Sequence, residues 1–193
     1  MATSPVLETP RVRVAPFTLE HVTSGYLGWL NDPTIVRFSE QRHRRHTRES
    51  CRAYMESFDG TANYFWALVV RGDGLGYIGT MTAYTDPGHG VADVGILVGQ
   101  AAAQGRGYAA EAWLAVCDFL FRVAGMRKVT AGTIAPNVAM LNLMKRVGMR
   151  EDGRRVRHHL WNGEEVDVIH GALFSDEWRQ RCPHGPFGAP SAR

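Results

Sequence analysis

The stretch Asp93-Val94-Gly95-Ile96-Leu97-Val98, a short linker and then Gln104-Gly105-Arg106-Gly107-Tyr108-Ala109 constrains this chain more than any other part of it. It leads a strand through a glycine-rich turn into a long helix. The first amides of a helix have no partner inside it, and with the positive end of the helix dipole they form an anion site. Gly105 and Gly107 remove side chains where a diphosphate would approach the backbone, and Arg106 adds charge. Glycines at a helix start can also be plain turn residues, so the pattern needs support from its surroundings. A second competitor is the dinucleotide fingerprint G-x-G-x-x-A, which Gly105 to Ala110 satisfies. That fold requires an acidic residue roughly 20 residues further on to hold a ribose. No Asp or Glu occurs between Asp118 and Glu151. The dinucleotide reading fails.

The flanking sequence supplies a consistent order of elements. Arg11–Ala15 alternates and ends at Pro16, as an edge strand does. Thr18 caps a helix carrying Leu19, Val22, Tyr26 and Leu30, which Asn31-Asp32-Pro33 ends. A second helix starts near Thr47, after the basic loop Ser39–His46. Tyr64–Val70 and Tyr77–Tyr84 form a hairpin across Gly72-Asp73-Gly74, and Val91–Val98 is the next strand. The long helix buries Trp113, Val116, Phe119 and Leu120 and stops near Gly125. A strand at Lys128–Ile134, a helix at Asn137–Val147 and a hairpin across Asn162-Gly163 complete the body, with a last helical turn at Ser175–Arg181. This predicts a mixed α/β fold, a central sheet of about seven strands flanked by helices.

At 193 residues, 45% hydrophobic and 21% charged, the chain predicts one domain over residues 1–181 with a mobile tail at 182–193. No apolar run reaches the ~18–20 residues of a membrane span, and the first residues do not form a secretion signal. Cys51, Cys117 and Cys182 make neither a disulfide framework nor a zinc pattern, so a reducing cytoplasm and no metal are expected. The net charge of +3 hides two basic patches, Glu40–Arg52 and Lys145–His159, in an otherwise acidic body. Such patches suit an anionic small ligand as readily as a nucleic acid, and either can be a solvated face.

Gln104 to Ala109 resembles the pyrophosphate motif Q-x-x-G-x-G/A of the GNAT N-acetyltransferases. The continuation Tyr108-Ala109-Ala110-Glu111-Ala112 is similar to the Rim-type branch, whose members acetylate ribosomal proteins, antibiotics and amino sugars. Asn137-Val138-Ala139 with Leu143 and Lys145-Arg146-Val147-Gly148-Met149 resembles the family's second motif, N-x-x-S-x-x-L-x-x-K-x-G-F. The resemblance implies acetyl-CoA as co-substrate. The amides of Arg106, Gly107, Tyr108 and Ala109, with Gln104 and Gly105, would cradle its pyrophosphate. Ile96, Leu97 and Val98 would pair with the pantetheine arm like an added strand. Asn137 would hold that arm where two strands part, and an amide near Leu97 would face the thioester oxygen.

Two departures leave the general acid unassigned: Met140 replaces the family serine, and Met144 stands where a thiol-protonating tyrosine often falls. Asp93 occupies the position where Rim-type enzymes often carry a glutamate shortly before a Gly-aromatic pair. The resemblance makes it the candidate base, the shorter side chain reaching the amine through a bridging water. Glu40 and His43 are rival proton acceptors, while His158 and His159 suggest surface or core. Trp29, Phe65 and Trp66 are expected in the core. The implied activity is direct transfer to a small-molecule amine in a ternary complex. Trp29-Leu30-Asn31-Asp32-Pro33 and the loop behind it look similar to nucleotide-amino-sugar acetyltransferases, with Arg42, Arg44 and Arg45 suited to a diphosphate. Glu40, His43 and Arg44 are thus candidate acceptor-binding residues. A protein N-terminal amine is the main rival acceptor, and a coenzyme-A-binding regulator without catalysis is the rival function. A nucleic-acid module lacks a recognition motif, neither nucleic acid nor membrane is an expected partner, and a homodimer is permitted.

Overall fold

A computed structural model describes residues 4–187. Its strands are β1 (Leu7–Glu8), β2 (Val12–Pro16), β3 (Tyr64–Val70), β4 (Gly76–Asp86), β5 (Val91–Val98), β6 (Lys128–Ile134), β7 (Arg150–Trp161) and β8 (Glu164–Phe174). Its helices are α1 (Ser24–Asn31), α2 (Pro33–Val36), α3 (Arg48–Glu56), α4 (Tyr108–Arg122), α5 (Val138–Val147) and α6 (Ser175–Arg181). The strands form one eight-stranded sheet in the order β1-β2-β3-β4-β5-β6-β8-β7. Every neighbouring pair is antiparallel except β5 and β6, which are parallel because α4 crosses between them. The strand beyond the expected seven is the two-residue β1, paired through Leu7 and Val14.

The alternating burial of β2, with Val12 and Val14 inside, fits a sheet covered on one face. β3 is a near-continuous apolar run and is buried almost throughout. α4 places Trp113, Val116 and Leu120 wholly inside, with Phe119 almost so. It unwinds where expected: the Met126 amide bonds the Leu120 carbonyl across Gly125, whose φ of 73° supplies the left-handed turn. Asn162 and Gly163 both take positive φ, as a two-residue hairpin turn requires. Phe65 and Trp66 are core, and Trp29 packs against Tyr77 in a second cluster under α1.

The helical region after β2 differs from the sequence reading. Thr18 caps only a short 3₁₀ turn at Leu19–His21. A new helix then starts behind Thr23, whose hydroxyl takes the Tyr26 amide at 3.1 Å. A second capping residue five positions on interrupts the helix. Asn31-Asp32-Pro33 does not stop the chain's helicity either. Asp32 caps the one-turn α2 by accepting the Thr34 amide at 2.8 Å, and Pro33 stands at the first helical position, where it lacks nothing. Of the tail expected from Cys182, residues 188–193 lie outside the described residues. The Cys182 amide still donates to the Trp178 carbonyl at 2.8 Å, so this part follows α6 closely. Among the described residues no helix is long and apolar enough to cross a membrane.

Candidate functional site

The site is a break in the sheet. β5 and β6 pair at only three positions, ending at Asp93 and Thr130. Beyond them β5 stays with β4 as far as Val98, and β6 stays with β8 as far as Ile134. Glycine contributes directly to this splay. A Cβ on Gly79 would overlap the Leu97 carbonyl, so only glycine lets that carbonyl turn onto β4. The amides of Gly99 and Gln100 both donate to the Ile78 carbonyl, drawing the end of β5 the same way. A cleft of ≈ 940 Å³ opens between the strands, walled by β5, β6 and the starts of α4 and α5.

Ile96, Leu97 and Val98 line this cleft, as does Asn137 opposite them. The Leu97 carbonyl, turned to β4, is not among the groups that edge offers. Gln104 lies at the end of the edge and donates through Nε2 to the Val98 carbonyl at 3.3 Å. Asn137 caps α5: its Oδ1 accepts from the Met140 amide at 3.2 Å and its Nδ2 donates to the Thr133 hydroxyl at 2.9 Å. One hydrogen of that amide remains for a ligand.

Gly105, Gly107 and Ala109 also line the cleft. Gly105 and Gly107 have φ of 73° and 86°, a left-handed path that turns successive amides toward one place. Among the described residues no acceptor bonds the amides from Gly105 to Ala110, and the first helical bond of α4 comes from Glu111 to the Gly107 carbonyl. The charge expected of Arg106 goes elsewhere. Its guanidinium pairs with Asp73 in the β3–β4 turn at 3.1 Å, and the Tyr108 hydroxyl donates to the same carboxylate, leaving Tyr108 buried. Positive charge beside the amides comes instead from Arg11 and Arg146, whose Nη2 atoms would lie 3.5 and 3.6 Å from a Cβ on Gly107. Arg11 is held there by Glu111, which accepts its backbone amide at 2.6 Å and its Nε at 2.8 Å. Burial raises the Glu111 carboxyl, but hydrogen bonds from Thr9 and Arg11 outweigh it and leave it below the usual range.

The opposite end of the cleft is acidic and imidazole-rich. Asp93 lies there beside Tyr84, its partner across β4 and β5, whose hydroxyl meets that of Tyr54 at 2.5 Å. Asp93 is itself exposed where it faces the open cleft, and the protein packed behind it buries its carboxyl in part. That burial pushes its carboxyl above the usual range; the Thr130 hydroxyl, donating at 2.8 Å, and the nearby His170 draw it partly back.

Glu40 lines the cleft at the end of a 3₁₀ turn, bonded to Arg42 at 3.1 Å and close to His43 and His159 at 3.8 and 3.9 Å. His43 is exposed on the far side of Glu40 and does not line the cleft. Arg44 is also outside it. With Arg42, Arg45 and His46 it lines a separate recess of ≈ 520 Å³, behind the turn that carries Glu40. His159, expected at the surface or in the core, faces the cleft because β7 shifts register between Arg155 and His159, with Arg157 in a left-handed conformation. Met140 lines the cleft and Met144 is buried, so neither position offers an acid. Among the described residues no cysteine lines the cleft, and burial drives the Cys117 thiol far up.

Residues 11–150 match the acetyltransferase (GNAT) domain family. No curated protein matches the sequence significantly. Solved structures of the same fold include a GNAT-family acetyltransferase from Bacillus anthracis, 17% identical, covering 89% of this chain and 99% of its own with a TM-score of 0.76. The spermidine N-acetyltransferase of Vibrio cholerae, in complex with CoA and spermine, is 15% identical, covers 88% and 99%, and has a TM-score of 0.75. The ribosomal-protein-S5-alanine acetyltransferase of Vibrio fischeri is 16% identical, covers 91% and 99%, and has a TM-score of 0.75. At these identities the likeness is one of fold.

Proposed function

The chain belongs to the GNAT acetyltransferase domain family, and from that premise we propose that it acetylates a primary amine by direct transfer from acetyl-CoA, with Asp93 as the base. The supporting observation is the continuity of the cleft. Unbonded amides and the guanidiniums of Arg11 and Arg146 lie at one end, an open strand edge runs along β5, and a carboxylate of raised pKa stands at the other. The first suits a diphosphate and the second an extended amide-bearing arm. Acetyl-CoA supplies the acetyl thioester. Asp93 takes a proton from the substrate ammonium, so that the amine can attack, and the Thr130 hydroxyl fixes the carboxylate's orientation.

A ligand that binds only the folded chain stabilises it by about 2.7 kcal/mol at 100-fold over its Kd. For a chain of this size that corresponds to a rise in Tm of about 5–11 °C. CoA should produce such a shift and NAD none; an equal shift with NAD would overturn the donor site.

The acceptor proposed is a nucleotide-linked amino sugar. Its amine would stand at Asp93 while its diphosphate reached over the Glu40 turn to Arg42, Arg44 and Arg45. Arg44→Ala should then raise the acceptor KM by about tenfold, one charge-assisted contact, without changing donor affinity. Mass spectrometry of products from a panel of nucleotide amino sugars and peptides tests the acceptor directly. Acetylation of peptide N-termini alone would replace this reading with a protein substrate.

A further inference from the structure

Taking Asp93 as the base leaves its proton needing a way out. Asp93, Thr130, Gly132 and His170 share one face of β5, β6 and β8: Asp93 pairs with Thr130, and Gly132 with His170. The glycine matters because the His170 ring lies across it. A Cβ at position 132 would stand 3.1 Å from Nδ1 and 3.2 Å from Cε1, tighter than most real contacts. Only a residue without a side chain lets the imidazole rest over β6 in this way. His170 lines the same cleft as Asp93. Its Nε2 is buried and, among the described residues, has no hydrogen-bond partner.

We infer that His170 is the second proton carrier of the site, an inference that rests on Asp93 being the base. Asp93 takes one proton from the substrate ammonium and becomes neutral. It passes that proton through solvent in the cleft to Nδ1 of the neutral imidazole, since Nε2 is buried, and the imidazolium releases it from the same atom to bulk, which returns Asp93 to the anion. The proton that nitrogen sheds after the C–N bond forms is a different one and leaves with the thiol as the C–S bond breaks. Imidazole is suited to the task because histidine changes charge between about pH 5 and 8. The other titratable groups on this cleft are Tyr84 from β4, His159 from β7, Arg146 from α5, Arg37 just after α2 and Glu40 from its turn; β6 lines it with Gly132, Thr133 and Ile134, none of which titrates. Glu40 is engaged by Arg42, whereas Asp93 forms no ion pair among the described residues.

The test uses three substitutions in the full chain. His170→Gln keeps a polar amide but cannot carry a proton. It should lower kcat near neutral pH by about tenfold or more, less than the 10²–10⁴ a general base supplies, with donor Kd unchanged. His170→Ala leaves space for a small base, and added imidazole should restore its turnover in proportion to concentration. Gly132→Ala retains both titratable groups but displaces the ring, so kcat should fall in the same direction. If folded His170→Gln keeps wild-type turnover while Asp93→Asn is impaired, Asp93 discharges directly to water; the relay fails and the base stands. If imidazole does not rescue His170→Ala and Gly132→Ala is fully active, the histidine is structural and the inference is overturned. If Asp93→Asn is itself fully active, the base reading fails first.

Discussion

Gly107→Val should abolish measurable CoA binding while leaving a folded protein. The glycine stands at φ of 86° as the residue that caps α4, a conformation that costs an L-residue about 1–2 kcal/mol. That strain alone should lower Tm by about 2–8 °C. Binding should suffer more. The new Cβ would point into the gap between the Arg11 and Arg146 guanidiniums, in ordinary contact with both. The two γ-methyl groups would then fill the place where a diphosphate must meet the amides. Charge-assisted hydrogen bonds are worth roughly 1.5–3 kcal/mol each, so losing two weakens binding by about a hundredfold or more. Calorimetric titration of the folded variant with CoA decides the matter. A Kd within about threefold of wild type would show that the anion site lies elsewhere.

The glycine turn was legible because its physics is local. Gly105 and Gly107 precede an uninterrupted helical pattern, and unpaired amides follow from that order alone. The strands Val91–Val98 and Lys128–Ile134 were equally readable, since short branched runs between turn residues leave little choice of structure. The charges beside the unbonded amides were not readable. Arg106 is adjacent in sequence but is drawn to Asp73, whereas Arg11 and Arg146 arrive from β1–β2 and α5. Adjacency in the chain was a poor guide to which guanidinium faces the amides.

The same holds at the acceptor end. Alternation along a strand shows which residues share a face, but not which face borders a cleft. Nothing in the sequence around His170 or Gly132 therefore marks either as part of a site. Their pairing across the sheet gives both a purpose. His159 was misplaced for a second reason: the irregularity at Arg157 shifts the phase of β7, so simple alternation fails beyond it. Arg44 illustrates the limit of charge patterning. The basic loop exists, but its turn at Glu40–His43 sends Glu40 into the cleft and Arg44 behind it.

Asp93→Asn should separate chemistry from binding. The substitution preserves shape, and the Thr130 hydroxyl can still donate to the amide oxygen. CoA affinity should therefore persist. Turnover near neutral pH should fall by about a hundredfold or more, the contribution of a positioned general base. The loss should shrink as pH rises, because more of the free amine is then already neutral. Wild-type turnover should climb with pH as Asp93 ionises, and that rise should be placed above the ordinary carboxylate range because burial raises this group; the variant should lack it. Stability should respond with a definite sign. A carboxyl whose pKa is higher in the folded state stabilises the fold below its unfolded pKa, and that contribution is lost as pH rises through the folded value. Above the folded value the wild type has lost it, so there Asp93→Asn should melt at the same temperature or slightly higher. Full turnover in the variant would move the base to Glu40 or His159, the remaining proton acceptors on the cleft outside the inferred relay. A fall in both Tm and CoA affinity would instead mean that Asp93 supports the strand pairing at the point where β5 and β6 part.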